Sequence, residues 1–217
     1  MILVMVGAPG AGKGTQAAIL AERLGIPHVA SGELFRAAVR AETPLGAAVR
    51  GYLERGQLVP DELAIEVIVD RLAQPDAANG AILDGFPRTR PQAEALTTAL
   101  ARRGQRVEQA LYVGVRESEL RRRLSGRWIC RASGHSYHVI DHPPVRPGVC
   151  DIDGSPLYQR DDDRPDTVRA RLAAQLPPMY DVVDYYTEQG VLTAVDGEGT
   201  IDEVTDALLR CLAQPAR

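Results

Sequence analysis

Of the 25 lysines and arginines in this 217-residue chain, one is a lysine, and it stands inside the run Gly7-Ala8-Pro9-Gly10-Ala11-Gly12-Lys13-Gly14-Thr15. Charge alone does not explain that choice. An ammonium on a slender stem enters places that a flat guanidinium fork cannot. Glycines let the backbone curl tightly enough to aim several N–H groups at one point, and such a nest grips phosphate oxygens. A helix starting directly after the run adds its positive N-terminal end, and the lysine then reaches the outer phosphates of a polyphosphate tail. The run predicts a phosphate cradle made by Gly10, Ala11, Gly12, Lys13, Gly14 and Thr15. Gly14 follows the lysine, so the hydroxyl that usually stands there is displaced to Thr15. That departure weakens the case for a GTPase or a motor-type ATPase.

The second constellation joins a carboxylate to arginines. Asp84 ends the apolar run Ala81-Ile82-Leu83 and opens Asp84-Gly85-Phe86-Pro87-Arg88. Open α/β sheets bind ligands at the carboxyl edge of their strands. A carboxylate there can hold Mg²⁺ through water, or it can simply cap a turn. Phosphoryl transfer spreads negative charge over the moving group's oxygens, and fixed guanidinium donors stabilise that charge. Most arginines in so arginine-rich a chain belong to a solvated surface, and Arg121, Arg122 and Arg123 read as the exposed face of a helix.

The elements that must hold these residues can be read from periodicity. Residues 1–6 form a buried strand, and a helical pattern from Thr15 to Leu24 stops at Gly25. A short strand at Pro27 to Ala30 leads to Ser31, which reads as the N-cap of a helix carrying Leu34, Phe35 and Ala38. Further helices are predicted over Leu45 to Arg55, from a cap at Asp61 to Ala73, and from Pro91 to Arg103. Strands are predicted at 81–83, Ala110 to Val115 and Val191 to Val195. A long helix from Thr167 to Glu188 contains Pro177 and Pro178, which favour a kink, and Ile201 to Leu212 closes the chain. On that last helix Cys211 falls in phase with Ile201, Val204 and Leu208 and reads as core. Strands alternating with helices imply an α/β fold with a doubly wound parallel sheet. Between Arg127 and Arg160 the texture changes to Gly, Pro, His and Asp, which reads as a small β-rich insert.

The residues GAPGAGKGT, ASGELFR (Ala30 to Arg36), LDGFPRT (Leu83 to Thr89), Gln92, and later YQRDDD (Tyr158 to Asp163) with VRARL (Val168 to Leu172) resemble bacterial adenylate kinases in order and spacing. The resemblance covers essentially the whole chain. It implies one kinase domain over 1–217 with two mobile pieces, an AMP-binding segment at 30–59 and a lid at 126–163. It implies phosphoryl transfer from Mg·ATP to AMP, giving two ADP. Lys13, Asp84, Arg88, Arg127, Arg160 and Arg171 would carry the chemistry, with Mg²⁺ as cofactor. ATP would meet the phosphate cradle with Arg127, Ser136, Tyr137 and Gly199. AMP would meet Ser31, Arg36, Gln57, Leu58, Val59, Gly85, Phe86, Pro87, Arg88, Gln92, Arg160 and Arg171, Gln92 reading the adenine edge. The acceptor is a phosphate oxygen, so no general base is required, and a closing lid keeps water from the transferring group. The resemblance also implies a monomer.

Related lids hold structural zinc with two Cys-x2-Cys or Cys-x2-Asp pairs. Here Ser133 stands at the second position and is a poor zinc ligand. Cys130, His135, Cys150 and Asp153 still offer two sulfurs, a nitrogen and an oxygen, adequate for tetrahedral zinc. The alternative is a lid held by hydrogen bonds and packing. His138, after Tyr137, is expected to face nucleotide rather than metal.

A net charge of −4 argues against a broad nucleic-acid-binding face. No apolar run reaches the roughly 18 residues of a membrane span, and the N-terminus lacks the basic flank of a signal peptide. A cytoplasmic protein is the expectation. Two rival functions remain to be weighed. A UMP or CMP kinase is disfavoured by the long insert and Gln92, and a P-loop binding module by the lack of a guanine-reading motif or a basic aromatic stripe.

Overall fold

The computed structural model describes residues 1–213. Five strands, β1 (Ile2–Val6), β2 (His28–Ala30), β3 (Ala81–Asp84), β4 (Val107–Gly114) and β8 (Leu192–Asp196), form one parallel sheet in the order β2-β3-β1-β4-β8. Every residue of β1 is buried, as are the first three of β3. Parallel strands covered by helices on both faces need such continuous apolar runs. The sheet is the α/β core that the alternation of elements predicted.

Helices α1 (Lys13–Leu24), α2 (Ser31–Arg40), α3 (Pro44–Glu54), α4 (Asp61–Leu72), α5 (Arg90–Ala101), α6 (Glu117–Ser125), α7 (Pro165–Glu188) and α8 (Ile201–Leu212) surround it. The chain leaves β1 toward β2 on one side, while β3 connects to β4 on the other. The chain direction thus switches beside the carboxyl end of β1, where doubly wound sheets bind ligands. Strands β5 (Arg127–Cys130), β6 (Ser136–His138) and β7 (Leu157–Tyr158) make a separate antiparallel sheet, order β6-β5-β7. Its small core is Cys130, Tyr137, Cys150 and Leu157, with Trp128 packed against it. No helix among the described residues is long and apolar enough to cross a membrane.

Three local expectations need correction. Ser31 and Asp61 are first helical residues rather than caps, because each side chain is engaged elsewhere: Ser31 Oγ donates to Gly85 O at 2.6 Å, and Asp61 accepts from Thr89 and Gln92. The side-chain caps are Thr43, Thr89 and Thr200, the last in a full capping box with Glu203. Helix α7 runs unbroken through Pro177 and Pro178. Val168, Leu172, Met179, Val182 and Tyr186 bury one face of both halves in the same core, which offsets the amide bonds lost at the prolines. On α8, Val204 and Leu208 are buried and Cys211 packs against them, but Ile201 is half exposed.

Candidate active site

The glycine-rich run forms the turn between β1 and α1. A Cβ at Gly7 would lie 2.8 Å from the carbonyl oxygen of Val113, so only glycine lets the loop pass β4. Gly12, at φ +90, caps α1 with no side-chain bond, and the first turn of the helix carries no acidic residue. The leading amides of α1 are therefore open, and its dipole is uncompensated, as an anion site requires. Lys13 Nζ reaches back across the loop to donate to Ala8 O at 2.9 Å. Burial pushes the Lys13 ammonium down to about 8, against the pull of Asp84.

Asp84 points at this loop from the end of β3. A Cβ on Gly14 would sit 3.3 Å from Asp84 Oδ2, which explains the glycine after the lysine. Burial would raise the Asp84 carboxyl, but the bond to His28 and the charges of Lys13, His28 and Arg88 hold it below the usual range. His28 pairs with Ile82 in the β2–β3 register, two residues from Asp84 on the same face, and its Nε2 lies 3.4 Å from Oδ2. Sequence reading did not find His28; only the register brings it to Asp84.

A cleft beside the loop is lined by Ser31, Arg36, Gln57, Leu58, Val59 and Arg88, and also by Gly85, Phe86, Gln92 and Arg171. Ten of the residues expected at the acceptor site thus share one cleft, while Pro87 and Arg160 are not on its lining. The Gln92 amide has internal work: Oε1 accepts from Arg88 N at 2.7 Å and Nε2 donates to Asp61 at 2.8 Å. One amide N–H remains for a ligand.

Arginines crowd the space between cleft and loop. Arg127 makes a two-pronged bond to Asp163, at 2.8 and 2.5 Å, and Arg171 donates to the same carboxylate at 3.0 Å. Asp163 is fully buried and held between two guanidiniums. Arg36 and Arg160 share Glu33 Oε1, at 2.7 and 2.6 Å. Burial, reinforced by neighbouring guanidiniums, pulls Arg160 and Arg171 down to about 10. The Nε groups of both are buried without a partner among the described residues. Buried donors of this kind are costly unless something accepts from them. Glu33 and Asp163 were missed as organisers, because an acid among many charged residues carries no spacing signal. Arg121, Arg122 and Arg123 pair with Glu117, Glu119 and Asp141 on and beside α6, as a solvated helix face does.

Cys130, His135, Cys150 and Asp153 come together in the small sheet, each offering a ligand atom within 4.8 Å of the others. Burial would raise the Cys150 thiol, yet bonds from Tyr137, from main-chain amides and from His135 bring it down to about 7. Ser133 bonds this set rather than joining it: Oγ donates to Asp153 Oδ2 at 2.5 Å and N to Cys130 Sγ. The side chains of Tyr137 and His138 are both engaged within the protein. The Tyr137 ring turns into the core of the small sheet with its hydroxyl on Cys150 and Asp151, and its main chain pairs with Trp128 of β5. His138 is spent locally, accepting at Nδ1 from Ile140 and Asp141 and contacting Arg122 O through Nε2. Ser136 is exposed on β6, and Gly199 lies on a second cleft between β8 and α8 with Glu203 and Arg210.

Comparison with known proteins gives this geometry its relatives. A family model described as adenylate kinase matches residues 5–191. The chain is 48% identical to an adenylate kinase of Exiguobacterium sibiricum over 204 residues, 94% of this chain and 95% of that one. It is 48% identical to one of Lysinibacillus sphaericus over 213 residues, 97% and 98% of the two chains. It is 47% identical to one of Streptomyces avermitilis over 213 residues, 98% and 97%. A phosphate loop beside an arginine-lined cleft, on a sheet that switches direction between them, is thus that of a nucleoside monophosphate kinase, and the chain belongs to the adenylate kinase family.

Proposed function

We propose that the chain moves the terminal phosphoryl group of Mg·ATP onto AMP, giving two ADP. The observation that carries this reading is the set of buried guanidinium N–H groups of Arg160 and Arg171 left without acceptors between loop and cleft. Buried donors without acceptors are costly, and phosphate oxygens would supply the missing partners. ATP lies with its polyphosphate in the Gly10-to-Thr15 turn and Lys13 beside it, and AMP lies in the cleft with its phosphate on Arg36 and Arg88. Arg127, Arg160 and Arg171 neutralise the charge that develops in transit. Gln92 turns its free N–H to the adenine edge, and the Gln57-Leu58-Val59 main chain borders the base. Ser31 holds Gly85 in place rather than touching the ligand through its bonded hydroxyl hydrogen.

Asp84, ionised and facing Gly14, would hold a Mg²⁺ ion through water, whose chemistry there would be neutralisation of ATP's phosphate charge. The segments 30–59 and 126–163 act as moving covers that exclude water once both nucleotides are bound. In the second cover, two thiols, an imidazole and a carboxylate within reach of one point, with one thiol already acidic, fit structural zinc. Rates of ADP formation with AMP, UMP, CMP and GMP as acceptors test the assignment. AMP is expected to lead the others by orders of magnitude; preference for a pyrimidine monophosphate would overturn it.

A further inference from the structure

Gln175 lies on the buried side of α7, 6% exposed, and lines the acceptor cleft, although no motif singles it out. Its amide is engaged in two directions. Oε1 accepts from Arg88 Nη1 at 3.1 Å, and Nε2 donates to the carbonyl of Gly56 at 2.7 Å. One side chain on a core helix thereby holds both the guanidinium that follows β3 and the main chain that leads into Gln57-Leu58-Val59. Gly56 itself, at φ +65, presses against α7, where a Cβ would lie 2.9 Å from that of Arg171.

The consequence for Arg88 is geometric. Nε donates to Gly85 O at 2.6 Å and Nη1 to Gln175, two bonds that fix the guanidinium plane. Nη2 has no acceptor among the described residues and lies beside Gly85, where a Cβ would come within 2.8 Å of it. We propose that Gln175 is a positioning residue for the acceptor's phosphate: it presents Arg88 Nη2 to the cleft and fixes the distance from that donor to the main chain at 57–59. This rests on the cleft's being the AMP site. An amide suits the task because it accepts and donates at once. A carboxylate would accept from Arg88 but cancel its charge and repel the Gly56 carbonyl. Small displacements of a phosphate-binding donor cost heavily in a reaction that depends on alignment.

The test is Q175M, close in length and volume but lacking both bonds, with KM for each nucleotide, calorimetric Kd for AMP, and the thermal midpoint. KM and Kd for AMP are expected to rise about tenfold while KM for ATP stays within about twofold, and in an Arg88→Lys background the added effect should fall below about twofold, as coupled residues require. Q175E is expected to weaken AMP further than Q175M. If Q175M does not fold, Q175N, one methylene short for its two partners, takes the same measurements. AMP constants within twofold of wild type, or AMP and ATP constants moving together, would overturn the proposal. Wild-type protein that makes no ADP from ATP and AMP would instead sink the reading of the cleft, so the two failures are distinguishable.

Discussion

The ammonium of Lys13 is tied to Ala8 O inside its own loop, and burial holds it at about 8, well below the ordinary lysine value. Two consequences carry definite signs. Between pH 8 and the unfolded value near 10.5, the unfolded chain binds the proton that the folded chain has shed, so this residue makes the empty protein more stable as pH rises. A polyphosphate reverses the balance by favouring the charged form. Binding of Mg·ATP above pH 8 should therefore take up as much as about one proton, and affinity should fall by up to about tenfold per pH unit. Calorimetry in two buffers of different ionisation enthalpy reads the uptake directly, and a pH-independent affinity from 7 to 10 would contradict it. Asp163 supports a second prediction. It is fully buried and paired with Arg127 and Arg171, so Asp163→Asn leaves two guanidiniums under-compensated and should cost about 3–5 kcal/mol in urea unfolding.

At the scale of elements, the capping box that starts α8 and the metal-ready cluster in the small sheet are separable devices. Thr200→Ala removes the side chain that accepts from Glu203 N and should lower stability by about 1 kcal/mol with turnover unchanged. If the four donors of the lid hold zinc, metal analysis should return about one equivalent, lost in Cys150→Ser together with a drop in the thermal midpoint. Metal-free protein with an unchanged midpoint would show a lid held by hydrogen bonds alone. The order of strands and helices was legible because apolar runs and amphipathic periods report burial, and burial decides secondary structure here. The phosphate loop was legible for a different reason: its glycines and lysine form one contiguous run, although the contacts that require them, Val113 against Gly7 and Asp84 against Gly14, lie far off in the chain. Residues whose roles depend on register or on distant packing were not legible. His28 reaches Asp84 only through the β2–β3 pairing, and Gln175 reaches Arg88 and Gly56 only because α7 crosses the cleft. Ser31 and Asp61 misled as caps because the sequence shows a short polar side chain before a helix but not the partner that claims it.

Across the whole molecule, buried and half-buried arginines gather beside the phosphate loop and the arginine-lined cleft, while the chain as a whole is acidic, at −4. The buried Asp163 and the half-buried Asp162 and Glu33 hold the arginines in place without neutralising all of them, and the Nε groups of Arg160 and Arg171, unpartnered among the described residues, mark where an acceptor is still wanted. Such a basin favours a state in which phosphate oxygens arrive from both sides, which on the proposed reading would join the chemistry to closure of the two segments. The measurement that tests this most directly is ADP formation from Mg·ATP plus AMP by wild-type and Arg88→Ala protein, with the ATP dissociation constant followed in parallel. Two ADP should appear for each ATP consumed, and the variant should lose roughly 10³–10⁵ in turnover while binding ATP normally. Near-normal turnover in the variant, or ATP consumed at the same rate without AMP, would contradict the account.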